Sequence, residues 1–256
     1  MTPWHLTLAT DGRHPMFDDE NGVRKAVRAL ARIAPDAFAL FCFADDHVHL
    51  VALGESSRIG RLARALVLGL RPVASARVEP ARVRPVTGRA HLQSLVKYVL
   101  TQPVHHGLAG GAALWTGSCV LELVGARDVG LRLQLAKALP RLRLRYVQAI
   151  VGLPSTPIAP ATLDEVRHAG IGRLLASAAA AYAVDSALAG NTTPVVEVRR
   201  RIAQLAADAG IPMSEVAFGL RMTARAARRL LAPRVASTVA IRVRLGLELA
   251  AAAPTS

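Results

Sequence analysis

Apolar residues recur with strand-like alternation and helix-like spacing through the first half of the chain. Apolar, β-prone runs predict strands at about residues 4–9, 38–43 and 47–53, and a further strand at 73–86. Apolar positions with helical spacing predict helices at 20–33, 56–70 and 89–102. This β-α-β-β-α-β order is typical of a ferredoxin-like antiparallel sheet with helices on one face. The predicted fold class for this region is α+β.

The first predicted helix is amphipathic. Val23, Val27, Leu30 and Ala31 form its inward stripe. The basic residues of the same segment are expected on its outer face: Arg24, Lys25, Arg28 and Arg32.

The pattern changes after about residue 130, which suggests a division into three parts. Residues 1–130 form the predicted α+β domain, 131–160 a basic, proline-rich connector, and 161–256 a helical domain. Thr162 and Glu165 have the spacing of a capping box, which predicts a helix beginning there. Strand-like alternation returns only at about 238–243.

The helical part contains a segment with helix-turn-helix spacing. A short helix opened by Ser214, a turn at 221–223 and a basic helix at 224–231 follow one another. Three arginines of the second helix are expected on its outer face, available to DNA phosphates or base edges: Arg225, Arg228 and Arg229. A plain helical hairpin with solvated arginines remains an equal alternative.

Composition favours a polyanionic partner. The 256 residues carry 32 Lys and Arg against 18 Asp and Glu, a formal net charge of +14, which favours nucleic acid over a membrane surface. An arginine-rich genome bias is the alternative explanation. Cys42 and Cys119 lie in apolar runs and are expected to be buried, reduced thiols. Because no signal peptide and no uncharged run of membrane-spanning length is visible, we expect a cytoplasmic protein without a membrane partner.

Two histidines lie one residue apart in the third predicted strand. Side chains alternate along a strand, so His47 and His49 project from one face, where two imidazoles can share a metal ion. Asp45 and Asp46 form the predicted turn before them. Two ordinary histidines on a sheet surface are the alternative.

A scarce residue type lies in the third predicted helix. Tyr98 is one of three tyrosines, and Gln102 follows it by four residues, on the same helical face. Pro103 is expected to end this helix. A half-buried structural tyrosine is the ordinary alternative.

Together these segments resemble the single-tyrosine HUH transposases, in particular the branch associated with repetitive extragenic palindromes (REP). Residues 44–52 are similar to the family's histidine–hydrophobic–histidine strand, and residues 98–108 to its tyrosine helix and exit. The opening strand around Trp4 and the segment Trp115 to Ser118 also match in order and spacing. The resemblance covers roughly residues 3–125.

The resemblance implies a specific chemistry. Tyr98 would attack a single strand and form a 5′-phosphotyrosine, while His47, His49 and Gln102 would hold Mg²⁺ or Mn²⁺, an ion suited to a mixed nitrogen and oxygen ligand set. Single-stranded or hairpin DNA is the implied partner, and the protein would act as a monomer or homodimer. The chain departs from the family at Asp45-Asp46, where Pro-Asn is usual, and 73–89 has no clear basic-aromatic stretch. These departures bear on which DNA is recognised and on how tightly it is bound.

We therefore predict a metal-dependent tyrosine nickase and strand transferase acting on single-stranded DNA, with an appended helix-turn-helix. Two other classes remain open. One is a DNA-binding regulator that has kept the fold but lost nicking. The other is a metal-dependent phosphodiesterase in which water, rather than Tyr98, is the nucleophile. Tyr146 and Tyr182 are the fallback nucleophiles, although neither has a polar ligand four residues on.

Overall fold

The computed structural model describes residues 2–108, 111–140, 142–234 and 237–252. The chain forms two units, one comprising residues up to 123 together with 129–157, the other 124–128 together with 158–256. Most of the stretch expected as a connector, 131–157, therefore belongs to the first unit, where it forms short helices α5 (Leu135–Ala138) and α6 (Leu144–Ile150). Within that unit, α5 packs on the sheet and α6 packs on the third helix.

The first unit is built on a four-stranded antiparallel sheet, as expected for an α+β fold. Its strands are β1 (Thr2–Ala9), β2 (Phe38–Phe43), β3 (His47–Gly54) and β4 (Arg82–Pro85), in the order β2-β3-β1-β4. The prediction of a strand over 73–86 was too long, since only its last residues pair regularly with β1. Val78 makes an isolated bridge to Thr10. The prolines at 80 and 85 lack the backbone N–H groups that a longer ladder of hydrogen bonds needs.

Three long helices follow the predicted bounds closely: α1 (Glu20–Ile33), α2 (Ser56–Leu70) and α3 (Gly88–His105). The expectation that Arg24 lies on the outer face of α1 was wrong. Arg24 is buried, and its guanidinium lies 3.1 Å from the Glu20 carboxylate one turn earlier, which compensates its charge.

The expectation that Pro103 ends α3 was also wrong. The helix continues to His105, with Pro103 buried inside its last turn. A proline there removes one backbone donor, and the turn is held by bonds from His106 N to Gln102 O (3.0 Å) and from Leu108 N to Pro103 O (2.8 Å).

The segment after α3 fastens the end of β2. The indole of Trp115 donates to Phe43 O at 2.6 Å, and Phe43 N donates to Gly117 O at 2.9 Å. A Cβ on Gly117 would lie 2.9 Å from Phe43 O and closer still to the indole, so the close approach requires glycine. A short helix α4 (Val120–Leu123) follows, and both Cys42 and Cys119 are buried, as predicted.

The second unit is helical over its described residues. Its helices are α7 (Leu163–Ala181), α8 (Thr193–Asp208), α9 (Met213–Gly219), α10 (Ala224–Arg229) and α11 (Val239–Ala252). The capping box of Thr162 and Glu165 is present at the start of α7. The alternation at 238–243 does not form a strand, since it belongs to α11, which packs along α7. In the described parts of both units, every helix is too short or too polar to cross a membrane.

The α9–α10 hairpin differs at its start from the prediction. Helix α9 begins at Met213 after Pro212, so Ser214 lies inside its first turn rather than capping it. Thr223 caps α10 by accepting a hydrogen bond from Ala226 N at 3.2 Å. The buried Gln204 of α8 donates to Pro233 O at 2.8 Å and to two further carbonyls beyond α10. The hairpin is thus anchored to the unit's core.

Candidate active site

Strand register brings histidines from two central strands onto one face of the sheet. Thr7 of β1 lies opposite His49 of β3, and His5 lies opposite Val51. Directly opposed residues project to the same side, so His5, Thr7, His47 and His49 share a face. The rings of His47 and His49 are 4.6 Å apart between centroids. The predicted pairing of these two histidines on one face is what the structure shows.

Helix α3 places Tyr98 directly over His49. The phenol oxygen of Tyr98 lies 3.2 Å from Nε2 of His49, and the two rings meet edge to face at 5.0 Å. His49 is buried, whereas Tyr98 remains 45% exposed. The hydroxyl of Tyr98 therefore contacts a buried partner, while nearly half of the residue stays exposed to solvent.

His5 and Thr7 complete the surroundings of His49, and sequence reasoning assigned neither a role. Nδ1 of His49 lies 3.0 Å from Nε2 of His5 and 3.3 Å from the Thr7 hydroxyl. Both ring nitrogens of His49 are therefore engaged. The alternation of His5 and Thr7 in the first predicted strand was the available signal, but its use required the β1–β3 register.

Burial and neighbouring cations keep His49 neutral. Burial, followed by the charges of His47, His5, His106 and Arg13, lowers the pKa of His49 to about 3. The pKa of His5 is also lowered, by burial and then by Arg84 and His91. Neutral imidazoles keep the lone pair that a metal ion requires.

Asp46 holds His47 in one tautomer. The Asp46 carboxylate lies 2.5 Å from Nδ1 of His47 and 3.0 Å from the Arg13 guanidinium. Partial burial raises the pKa of Asp46, but hydrogen bonds from His47 and Arg13 outweigh it and leave the pKa below its usual value. Because the carboxylate accepts the Nδ1 proton, Nε2 of His47 is the nitrogen left with a lone pair.

Gln102 lies one turn beyond Tyr98 and is buried. Its amide nitrogen donates to Tyr98 O at 3.3 Å, which leaves the amide oxygen as the group able to act as a ligand. The ring of His106, just past the end of α3, lies 5.1 Å from that of His47. Like His5 and Thr7, His106 had no role in the sequence-based prediction, although it lies in the segment 98–108.

The donor chemistry of this face fits a hard divalent cation. Two imidazoles and one amide oxygen form the mixed set that Mg²⁺ and Mn²⁺ accept, and a carboxylate orients one imidazole. In the described part of the chain, no group of three or more His, Cys, Asp and Glu side chains is placed to hold a metal ion. The predicted set contains two residues of those types, so His47, His49 and Gln102 stay a prediction as ligands.

The predicted DNA-binding arginines lie in the second unit. Arg225, Arg228 and Arg229 are all exposed on α10, as the sequence predicted. The adjacent α9 exposes Phe218 almost completely. An exposed basic surface of this kind suits a polyanion, but a solvated hairpin would look the same.

Comparison with known proteins gives one similar structure. No protein-family model matches the sequence, and no curated protein matches it. A solved structure of a REP-associated tyrosine transposase bound to a REP hairpin is similar over 52% of this chain and 87% of that chain. The two share 17% identity with a TM-score of 0.37. A likeness this distant carries no argument about activity, which must come from the side chains.

Proposed function

We propose that the protein is a single-stranded DNA endonuclease and strand transferase that uses Tyr98 as its nucleophile, at hairpin or palindromic sequences. The observation that carries the proposal is the position of the partly exposed Tyr98, whose hydroxyl lies 3.2 Å from a buried histidine that shares a sheet face with a second histidine. The net charge of +14 and the HUH-like order of motifs add support.

The reaction joins the Tyr98 oxygen to the phosphorus of a phosphodiester and breaks the bond from phosphorus to the 3′ oxygen. The products are a 5′-phosphotyrosine and a free 3′-OH, with the phenol proton released to water and one proton taken up by the departing oxygen. Because the phosphotyrosine keeps the ester bond energy, a 3′-OH can attack it and restore a DNA strand. Cleavage and rejoining therefore need no external energy source.

The low pKa of His49 favours a ligand role over a base role. Burial lowers the pKa of His49 to about 3, so its imidazole is a weak proton acceptor and is poorly suited to act as a general base. A neutral imidazole is instead suited to bind a cation. His47, His49 and Gln102 would hold Mg²⁺ or Mn²⁺, which would supply positive charge to the phosphate and the phenolate. Asp46 would keep His47 in the ligating tautomer.

Tyr182 is a poor candidate for the nucleophile. It is buried in the second unit, burial raises its pKa, and the Arg201 guanidinium stacks on its ring at 4.8 Å. Tyr146 of the first unit is 45% exposed, the same fraction as Tyr98. Tyr146 therefore provides a matched control.

The second unit would add affinity for DNA. The α9–α10 hairpin has helix-turn-helix order, and Arg225, Arg228 and Arg229 would contact phosphates or base edges. Cytoplasmic location and a monomeric or homodimeric state remain part of the proposal.

A covalent-adduct assay tests the proposed chemistry. The protein is incubated with labelled single-stranded hairpins from the flanks of its own gene and Mn²⁺, and adducts are resolved on a denaturing gel. A protein–DNA band should form with the wild type and Tyr146→Phe. It should disappear with Tyr98→Phe and with the double variant His47→Ala, His49→Ala.

Two outcomes would point to the other classes. Tight binding without an adduct on any flanking hairpin would favour a DNA-binding regulator. Cleaved DNA without an adduct, unchanged in Tyr98→Phe, would favour a phosphodiesterase that uses water.

A further inference from the structure

The face that carries the histidines is covered unevenly. Helix α3 packs against β2, at one side of the sheet. On the other side, three β1 residues that point to this face are partly exposed, whereas the two residues between them, which point to the opposite face, are fully buried. The partly exposed residues are His5, Thr7 and Ala9, and the buried residues are Leu6 and Leu8. We call this partly exposed surface of β1, formed by His5, Thr7 and Ala9 next to the contact of His49 with Tyr98, the trough.

Two arginines border this trough on the edge strand β4. Arg82 lies opposite Thr7, and Arg84 lies opposite His5, so both arginines project to the same face as the histidines. Arg82 is two strands away from His49, about 10 Å at the usual spacing of about 4.8 Å. The positive charge of Arg84 contributes to the lowered pKa of His5, which agrees with their adjacent positions.

Both arginines are available to a ligand. Arg82 and Arg84 are exposed, and no ion pair of the described residues includes either of them. The four residues of β4, Arg-Val-Arg-Pro, include no acidic side chain. Two unpaired guanidiniums on one face of an edge strand offer donors suited to phosphate oxygens.

We propose that Arg82 and Arg84 bind the backbone phosphates of the single strand whose scissile phosphate lies at Tyr98. The strand would cross the trough over His5 and Thr7, with Tyr98 at one side and the two arginines at the other. At 3.4 Å or more per nucleotide, about 10 Å corresponds to about three nucleotides or fewer between the arginines and the site. This pair of arginines would provide the DNA grip that the sequence of 73–89 did not reveal. The inference rests on the proposed function, because it requires a DNA strand to reach Tyr98.

The salt dependence of binding tests the inference separately from the chemistry. The full chain carrying Tyr98→Phe is titrated without divalent cation against a fluorescein-labelled 20-nucleotide thymidine strand, between 50 and 200 mM salt. Each phosphate contact on a single strand contributes about 0.7 to the slope of log K against log salt. Arg82→Ala with Arg84→Ala should therefore reduce the magnitude of the slope by about 1.4, and replacement of both by lysine should retain most of it.

The control removes two exposed arginines of α2, Arg61→Ala with Arg64→Ala, which lie outside the trough. Their loss should leave the slope unchanged. An unchanged slope in the Arg82, Arg84 variant, or an equal reduction in both pairs, would overturn the inference. A reduced slope limited to Arg82 and Arg84 in a protein that forms no adduct would support the trough and contradict the chemistry. An adduct together with an unchanged slope would support the chemistry and contradict the role of Arg82 and Arg84.

Discussion

The two units present their candidate functional residues in opposite ways. In the first, Tyr98, His49 and His5 form a chain of contacts at 3.2 and 3.0 Å, with two of its three members on neighbouring central strands. In the second, the three arginines of α10 are all exposed. When side chains contact one another, changing one alters the effect of the others. Charges without shared contacts contribute small, additive amounts to the free energy of binding. Chemistry is therefore expected to depend on single residues of the first unit, and affinity on the summed charge of the second.

The largest expected effect concerns the pH dependence of the first unit. His49 is neutral when folded, with a pKa of about 3, but is protonated below about 6.5 when unfolded. The unfolded state therefore binds more protons between these values, and stability falls as the pH falls from 6.5 towards 3. From pH 7 to pH 4.5 the free energy of unfolding of the wild type should fall by about 2.5 kcal/mol more than that of His49→Gln.

Urea unfolding followed by tryptophan fluorescence measures this difference for the first unit alone, because both tryptophans, Trp4 and Trp115, lie in it. The control is His168→Gln, which replaces an exposed histidine of α7. Its stability should fall between pH 7 and pH 4.5 by as much as that of the wild type. Equal losses in the wild type and His49→Gln would contradict the neutral, buried imidazole.

The next effect concerns the carboxylate behind His47. Asp46→Ala should weaken Mn²⁺ binding by about 10- to 100-fold, because Nδ1 of His47 loses the acceptor that fixes its tautomer. Asp46→Asn, which keeps an acceptor oxygen, should recover part of the affinity. Calorimetric titration with Mn²⁺ measures both variants. Asp45→Ala removes the exposed neighbouring carboxylate and should bind as the wild type does.

A smaller effect is expected from the arginines of α10. Replacing Arg225, Arg228 and Arg229 by alanine should reduce the slope of log K against log salt for duplex DNA by about 2.7 if each contacts one phosphate. Adduct formation by the first unit at saturating single-stranded DNA should not change. Lysine at all three positions separates two kinds of contact, since restored affinity indicates phosphates, and persistent loss indicates base edges. An unchanged slope would mean a solvated hairpin.

The smallest effect is a matter of stability within the second unit. Thr162→Ala removes the capping box at the start of α7 and should cost about 1 kcal/mol. Thermal unfolding followed by circular dichroism should show the helical transition at a lower temperature. The unfolding temperature of the first unit, followed by tryptophan fluorescence, and the yield of adduct should stay constant. A matching shift in the tryptophan transition would show that the two units unfold together.

Local patterns in the sequence were sufficient to place much of the first unit. The bounds of α1, α2 and β2 follow from helical and strand-like spacing, and the shared face of His47 and His49 follows from alternation along one strand. Helical spacing also placed Tyr98 and Gln102 one turn apart. These features depend on residues close together in sequence, where periodicity is informative.

Features that depend on distant residues were not predictable. His5 and Thr7 approach His49 because of the β1–β3 register, which joins residues more than forty positions apart. The role of Asp46 was hidden because a turn aspartate beside a histidine is common, and its contact with Arg13 depends on the loop after β1. Arg24 was misplaced because periodicity treats every arginine as a surface residue, although Glu20 compensates its charge when buried.

The strand order β2-β3-β1-β4 also has a consequence for motion. The histidines occupy the two inner strands, whose amides are bonded on both sides and should exchange with solvent only through extensive unfolding. The four-residue β4 is bonded along one edge only and should open at a much smaller free-energy cost. If DNA binds Arg82 and Arg84 as proposed, movement of β4 would shift these arginines without moving the imidazoles. The proposed DNA contacts could then adjust while the proposed site stays rigid.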